Sequence, residues 1–296
     1  MPSLTRRAAL IGGTALAGGP FLAGTVRTAW AAEDAAARLA QLERRDGGRL
    51  GVEVRDTGTG RRFGHRADER FPLCSTFKAL AAAAILARVD RAEESLERRM
   101  TYAQADLDAY APVTGRHVAD GMTLADICAA AVVWSDNTAG NLMLRALGGP
   151  EGVTAFARAH GDTLTRLDRT EPTLNTAIPG DPRDTTTPAA MLGLLEAVLL
   201  GEALSPASRA RLAGWMTESP TGAKRLRAGV PADWQVADKT GTGENGTANV
   251  VALVRRPGGA PLLASVYLTG SPAEPDARNA LHAEVGRLIA RTFPGA

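Results

Sequence analysis

The sequence predicts an α+β fold: an antiparallel five-stranded sheet flanked by terminal helices, with an all-helical lobe inserted and a cleft between them. Strand-like runs occur only near the two ends of the chain. The long middle has helical spacing. No internal repeat or low-complexity linker divides the 296 residues. One sheet is therefore assembled from distant parts of the chain. The cleft beside it is a common place for a small-molecule site.

After a leader over residues 1–31, the spacing over 33–45 puts Leu39 and Leu42 on one helical face. Residues 49–56 alternate apolar and polar, Gly58-Thr59-Gly60 is a turn, and 61–65 closes a hairpin. Residues 32–70 and 218–296 are expected to form the sheet-bearing lobe, and 71–217 the helical one. In the latter, alanine-rich 79–89 is a strong helix former, and 124–133 and 138–147 are helical too. Gly148-Gly149-Pro150 stops one helix before 151–160 begins the next. Residues 162–187 have no periodicity and carry Pro172, Pro179, Gly180 and Pro182. A loop of that length is commonly functional. Helices resume over 188–200 and 205–218. The last three strands are 235–242, 249–255 and 261–269, with turns at Glu244-Asn245-Gly246 and Pro257-Gly258-Gly259. Residues 275–293 form a terminal helix.

Composition excludes several function classes. Hydrophobic residues make up 45% and charged residues 22%, which excludes general disorder. An aromatic share of 4% supplies few stacking platforms for single-stranded nucleic acid. The net charge of +2 belongs to the leader, which holds Arg6, Arg7 and Arg27 and no acid. The 34 basic side chains less these three leave 31 against 32 acidic ones, a net −1. No nucleic-acid or membrane-surface partner is implied. Two cysteines, Cys74 and Cys128, are too few for a disulfide scaffold. The four histidines are scattered and no CxxC or HExxH spacing occurs, so no zinc site is expected.

Arg6-Arg7 precede a weakly apolar run rich in Gly and Ala. This reads as an export signal of twin-arginine type, with Ala29-Trp30-Ala31 as the cleavage site. The alternative is an uncleaved anchor, against which Pro20 and the low apolarity count. The mature chain is expected in the periplasm or medium of a bacterium, away from the membrane.

Three short motifs carry chemistry. Ser75-Thr76-Phe77-Lys78 opens the alanine-rich helix. Residues three apart share a helical face, so Lys78 reaches the Ser75 hydroxyl and, partly desolvated, can serve as its base. The helix N-terminus adds a positive field where an oxyanion would form. The bland alternative is an N-cap serine beside a solvated lysine. Ser135-Asp136-Asn137 lies between two helices. Ser135 can pass a proton to a leaving nitrogen, Asn137 can donate to a substrate carbonyl, and Asp136 can bond local backbone N–H groups. An ordinary N-cap competes with that reading. Lys239-Thr240-Gly241, followed by Thr242, falls on a strand. It offers a cation and two hydroxyls for a carboxylate, with Gly241 making room for a substrate backbone. The alternative is an exposed edge strand guarded by lysine.

In this order and spacing, and with Arg169-Thr170-Glu171-Pro172-Thr173-Leu174-Asn175 in the long loop, the motifs resemble the class A serine β-lactamases of the penicilloyl-serine transferase superfamily. The resemblance covers nearly the whole mature chain. It implies hydrolysis of a β-lactam amide through an acyl-serine on Ser75, with the backbone N–H groups of Ser75 and Thr242 as oxyanion hole. Ser135, helped by Lys239, would protonate the ring nitrogen. Glu171, with Asn175 as second holder, would activate the deacylating water. Such general-base catalysis is typically worth about 10²–10⁴-fold. Either Lys78 or Glu171 would be the acylation base. The loop over 166–184 matches an Ω-loop closed by an Arg169–Asp184 ion pair. Tyr110 matches the aromatic wall at the cleft entrance, and Trp134 a residue expected in the core behind the Ser135 turn. The usual carboxylate-binding arginine position is Ala248 here, and Arg225 matches the alternative one. The positions that pair with Cys74 and Cys128 in other members are Gly243 and Ala82, so two free, buried thiols are expected. β-Lactam molecules are the partners implied, for a monomer. Two other readings are a D-alanyl-D-alanine peptidase or penicillin-binding protein, which shares the first three motifs and would not need Glu171 and Asn175, and a β-lactam-sensing module that acylates without turnover, of a kind usually joined to transmembrane segments.

Overall fold

The computed structural model describes residues 21–295, with side chains from residue 34 onward. The first twenty residues of the expected export signal lie outside the described residues. Helix α1 (Phe21–Asp46) begins earlier than the spacing over 33–45 indicates, because the alanine-bearing stretch before it continues the helical propensity. Among the described residues, no helix is long and apolar enough to cross a membrane.

Strands β1 (Arg49–Asp56) and β2 (Arg62–His65) form the expected hairpin. Two-residue strands follow in two pairs: β3 (Phe71–Pro72) with β6 (Thr185–Thr186), and β4 (Arg99–Met100) with β5 (Met122–Thr123). The last three strands are β7 (Gln235–Gly243), β8 (Thr247–Arg255) and β9 (Leu262–Thr269). The five-stranded sheet is antiparallel, in the order β2-β1-β9-β8-β7. Pairing of Arg49 with Thr269 and of Asp56 with Leu262 joins the two ends of the chain. Strand β7 is left at an edge, where its side chains can line a cleft.

The helices between are α2 (Phe77–Asp90), α3 (Leu124–Val133), α4 (Asn137–Leu147), α5 (Pro150–Ala159), α6 (Pro188–Leu199) and α7 (Pro206–Glu218). Helix α8 (Pro275–Thr292) closes the fold. Their starts are written in capping residues. Thr123, Asp136, Thr187 and Ser205 each accept a backbone N–H at the first turn of α3, α4, α6 and α7. Each such cap is worth about 1 kcal/mol. Gly148 ends α4 at φ 93°, a conformation glycine adopts without penalty.

Apolar cores lie on both faces of the sheet. Side chains alternate along a strand. Val250, Ala252 and Val254 of β8 therefore pack with Leu39 and Leu42 of α1 and with α8. Val251 and Leu253 face the helical core instead. At the centre of that core runs α2, buried without a break from Phe77 to Ala87. Its alanines let α4, α5 and α7 approach closely around it. The first turn of α2 is thereby fixed against the edge strand.

Candidate active site

A 3-10 turn over Cys74–Thr76 feeds directly into α2, which places Lys78 one turn beyond Ser75. Lys78 is fully buried, and its Nζ donates to Ser75 Oγ at 3.0 Å. The same nitrogen lies 2.8 Å from the Ser135 carbonyl, 2.8 Å from Asn137 Oδ1 and 2.9 Å from Glu171 Oε1. Four acceptors thus surround a group with at most three hydrogens. Burial pulls the Lys78 amine below the ordinary lysine value, against the opposing charge of Glu171. Ser75 Oγ in turn donates to Glu171 Oε1 at 3.2 Å. The Ser75 proton therefore has two neighbours able to take it. The solvated-lysine alternative does not hold.

Glu171 is placed by the loop and by α4. Asn141 clasps its backbone, the carbonyl at 3.0 Å and the N–H at 2.9 Å. Asn175 Nδ2 donates to Glu171 Oε2. The buried Asn175 Oδ1 has no protein partner among the described residues. The loop closes as expected: Asp184 pairs with Arg169 and also accepts the N–H groups of Asp168 and Arg169 at 2.8 and 2.9 Å.

Strand alternation sorts the third motif. Lys239 shares the face of Ala237, which lies in the helical core, and there its Nζ donates to Ser135 Oγ at 2.9 Å. It is fully buried, which rules out an exposed guard on an edge strand. Burial holds its amine well below the ordinary lysine value, and the like charge of Lys78 adds to this. Thr240 and Thr242 take the other face, where Thr240 Oγ1 meets Thr221 Oγ1 at 2.7 Å and Thr242 Oγ1 accepts from Arg225 at 2.7 Å. Ser135 sits at φ 61°, a strained backbone for a serine and one that concentrates at functional sites. Asp136 holds that turn by accepting the N–H groups of Val113, Thr114 and Ala139.

Ser75, Tyr110, Ser135, Asn137, Asn175 and Arg225 line one cavity of about 310 Å³, together with Thr221, Thr240 and Thr242. Tyr110 is half-exposed at its edge. The residues found on three separate motifs and one loop thus converge. Among the described residues no cluster of His, Cys, Asp or Glu is arranged to hold a metal ion.

Three expectations change in detail. Gly241 does not open room for substrate: a Cβ there would meet the Leu73 carbonyl at 3.0 Å and Cys74 Cβ at 3.2 Å. The glycine instead lets β7 approach the turn that carries Ser75. Trp134 is not in the core but 48% exposed, because it caps the C-terminus of α3 where the chain turns outward. Arg225 is nearly buried and spends most of its donors on the protein: the Gly241 and Asn249 carbonyls at 2.7 and 2.6 Å, Thr242, and Asn279. Burial lowers its guanidinium to about 10. Cys74 and Cys128 are free and buried, and burial pushes both thiols up. Sequence reasoning missed Asn141 and Thr221. Asn141 lies one helical turn beyond Asn137, so it shares the face of a residue already singled out.

A family model described as the β-lactamase enzyme family matches residues 34–293. β-Lactamase CTX-M-8 of Citrobacter amalonaticus is 47% identical over 258 residues, covering 87% of this chain and 89% of its own. β-Lactamase AST-1 of Nocardia asteroides is 49% identical, covering 85% and 81%. An ancestral class A β-lactamase structure (GNCA) is 61% identical with a TM-score of 0.87, covering 88% of this chain and all of its own. The chain belongs to the class A β-lactamase family. The fold of this β-lactamase is the class A fold.

Proposed function

We propose that this chain hydrolyses the β-lactam amide bond, as its family membership supports, with the following division of labour. Ser75 attacks the lactam carbonyl, with Lys78 and Glu171 both within reach of its proton. The backbone N–H groups of Ser75 and Thr242 hold the oxyanion. Ser135 delivers a proton to the ring nitrogen, and Lys239 Nζ, donating to Ser135 Oγ, supports that transfer. Glu171 then activates water to release the opened acid. The observation that carries this step is that Asn175 Nδ2 donates to Glu171 Oε2 and so sets the partnerless Asn175 Oδ1 beside the carboxylate, the two residues together offering acceptors for one water. Asn137 retains one amide hydrogen after donating to Asp108, enough for a substrate carbonyl. Tyr110 walls the entrance, and Thr240 and Thr242 bind the substrate carboxylate. Residues 32–70 with 218–296, and 71–217, act as the lobes on either side of the cleft. Small β-lactams are the substrates of a monomer exported by the twin-arginine route, with no cofactor. The test is turnover of a chromogenic cephalosporin by the purified chain, with and without chelator. A penicilloyl adduct that forms but never turns over would favour a peptidase or sensor.

Arg225 acts mainly through Thr242, to which it donates, and has one N–H left for a substrate carboxylate. Arg225→Ala is therefore expected to raise KM for penicillins several-fold and to lower kcat less, since the interaction is made in ground and transition state alike. The same variant also leaves the Gly241 and Asn249 carbonyls without their donor, so Arg225→Lys serves as the milder control. An unchanged KM in both would move the carboxylate site elsewhere.

The depressed Lys239 amine sets a pH dependence. Its protonated form is the one that donates to Ser135 and attracts a carboxylate. kcat/KM is expected to fall on the alkaline side through a value below that of an ordinary lysine, because burial favours the neutral amine. Lys239→Arg, which keeps its charge at higher pH, should shift that limb upward. A limb that stays in place assigns it to another group.

A further inference from the structure

Thr221 lines the catalytic cavity without belonging to any of the motifs that carry the chemistry. Its Oγ1 lies 2.7 Å from Thr240 Oγ1 and 2.9 Å from Ser219 Oγ. These hydroxyls form a chain that starts inside the protein and ends at the cavity: Ser219 is fully buried, whereas Thr240 is part of the lining. Three hydroxyls carry three hydrogens, and the two links use two of them. The spare hydrogen does not belong on Ser219. That residue has no exposed surface, and among the described residues its hydroxyl meets only Thr221, whose N–H it also accepts at 3.4 Å. A buried hydroxyl hydrogen with no acceptor is costly, so Ser219 donates to Thr221. Thr221 gains most by donating onward to Thr240, because hydrogen bonds in series polarise one another. The spare hydrogen is thereby left on Thr240, at the cavity.

The turn that carries Ser219 and Thr221 is fastened to β7 by other contacts. Arg227 donates to the Ser219 carbonyl at 3.0 Å and to the Val236 carbonyl at 3.1 Å, and it pairs with Asp238. Asp238 Oδ2 lies against Gly222, where a Cβ would meet it at 2.0 Å. Asp238 and Thr240 are two apart on one face of the strand, so they hold neighbouring parts of the same turn. The place of Thr221 is therefore set without its hydroxyl, which is free to act on Thr240.

We propose that Thr221, ordered by Ser219, is a positioning residue for substrate recognition: it donates to Thr240 Oγ1 and so directs the Thr240 hydrogen at the carboxylate of the β-lactam. The inference rests on the reading that Thr240 binds that carboxylate. Polarised from behind, the Thr240 hydroxyl is a better donor to an anion than a lone threonine would be.

The test compares a penicillin with its methyl ester, which keeps the ring and loses the charge. Thr221→Val keeps the shape and removes the hydroxyl. It should raise KM for the acid about threefold to tenfold, change kcat less, and narrow the preference for acid over ester. Thr221→Ser should restore most of that preference, and Ser219→Ala, which leaves Thr221 in place, should give a smaller rise in KM. The double variant Ser219→Ala/Thr221→Val strands no buried hydrogen and repeats the test if the single valine variant folds poorly. An equal loss on acid and ester would make Thr221 a mere part of the turn and overturn the proposal. So would an unchanged preference in Thr221→Val while Thr240→Val narrows it, an outcome that leaves the role of Thr240 standing. A preference unchanged in Thr240→Val removes Thr240 from the carboxylate site and takes the inference with it.

Discussion

Ser75→Ala is expected to abolish β-lactam hydrolysis, with kcat falling on the order of 10⁴-fold or more, as removal of a nucleophile from a preorganised site typically does. Both Lys78 Nζ and Glu171 Oε1 lie within hydrogen-bond distance of this hydroxyl, at 3.0 and 3.2 Å. A mechanism that used Glu171 to drive water directly onto the lactam would survive its loss. The mechanism proposed here would not, because no acyl bond could form. Folding should be little disturbed. Lys78 keeps the Ser135 carbonyl, Asn137 Oδ1 and Glu171 as acceptors for its three hydrogens, so no buried donor is stranded. The measurements are turnover of a chromogenic cephalosporin, the intact mass after incubation with penicillin, and the thermal midpoint. Loss of turnover with no mass gain and a near-unchanged midpoint is the expected set. Turnover near that of the unsubstituted chain would remove Ser75 from the mechanism.

Much of this was legible in the sequence for physical reasons that can be named. Helix α3 was readable to the residue because Thr123 caps it and its apolar run ends where Ser135-Asp136-Asn137 begins. Strand β1 was readable from alternation, and the other four strands of the sheet from the Gly-bearing turns beside them. The paired strands β3–β6 and β4–β5 were not, since two residues contain no period. Gly241 was read as room for substrate when the room is taken by residues 73 and 74, a contact between segments more than 160 positions apart. Trp134 was read as core because the resemblance sets it behind the Ser135 turn, and only the turn after α3 shows that it faces out. The motif residues themselves were easier: a serine, a lysine and a glutamate must come together for acyl transfer and hydrolysis, and that requirement is chemical, not topological. Thr221 had no such signal, because a lone threonine opposite Thr240 looks like any other hydroxyl until the strand is folded.

Glu171→Ala is expected to trap the acyl-enzyme, visible as a mass increase equal to the penicillin, with deacylation slowed by about 10²–10⁴-fold. The argument is that an acyl-serine ester is stable until a base removes a proton from the attacking water, and Glu171 with Asn175 is the pair placed to hold one. The substitution also removes the carboxylate 2.9 Å from the buried Lys78 ammonium, and an uncompensated buried charge typically costs about 3–5 kcal/mol. Lys78 can avoid that cost by losing its proton. Burial already favours the neutral amine and the Glu171 charge opposes it, so removing Glu171 lowers the Lys78 value further. Glu171→Gln, which keeps the shape and the Asn175 contact, guards against a variant that merely fails to fold. These variants therefore separate the two candidate acylation bases. If Lys78 suffices, acylation stays fast while deacylation stops, and the adduct accumulates to one per chain within the first minutes. If Glu171 is needed for both steps, neither an adduct nor product forms at a comparable rate. Rapid release of the adduct from both variants would assign deacylation to another base and take Glu171 out of the proposed role.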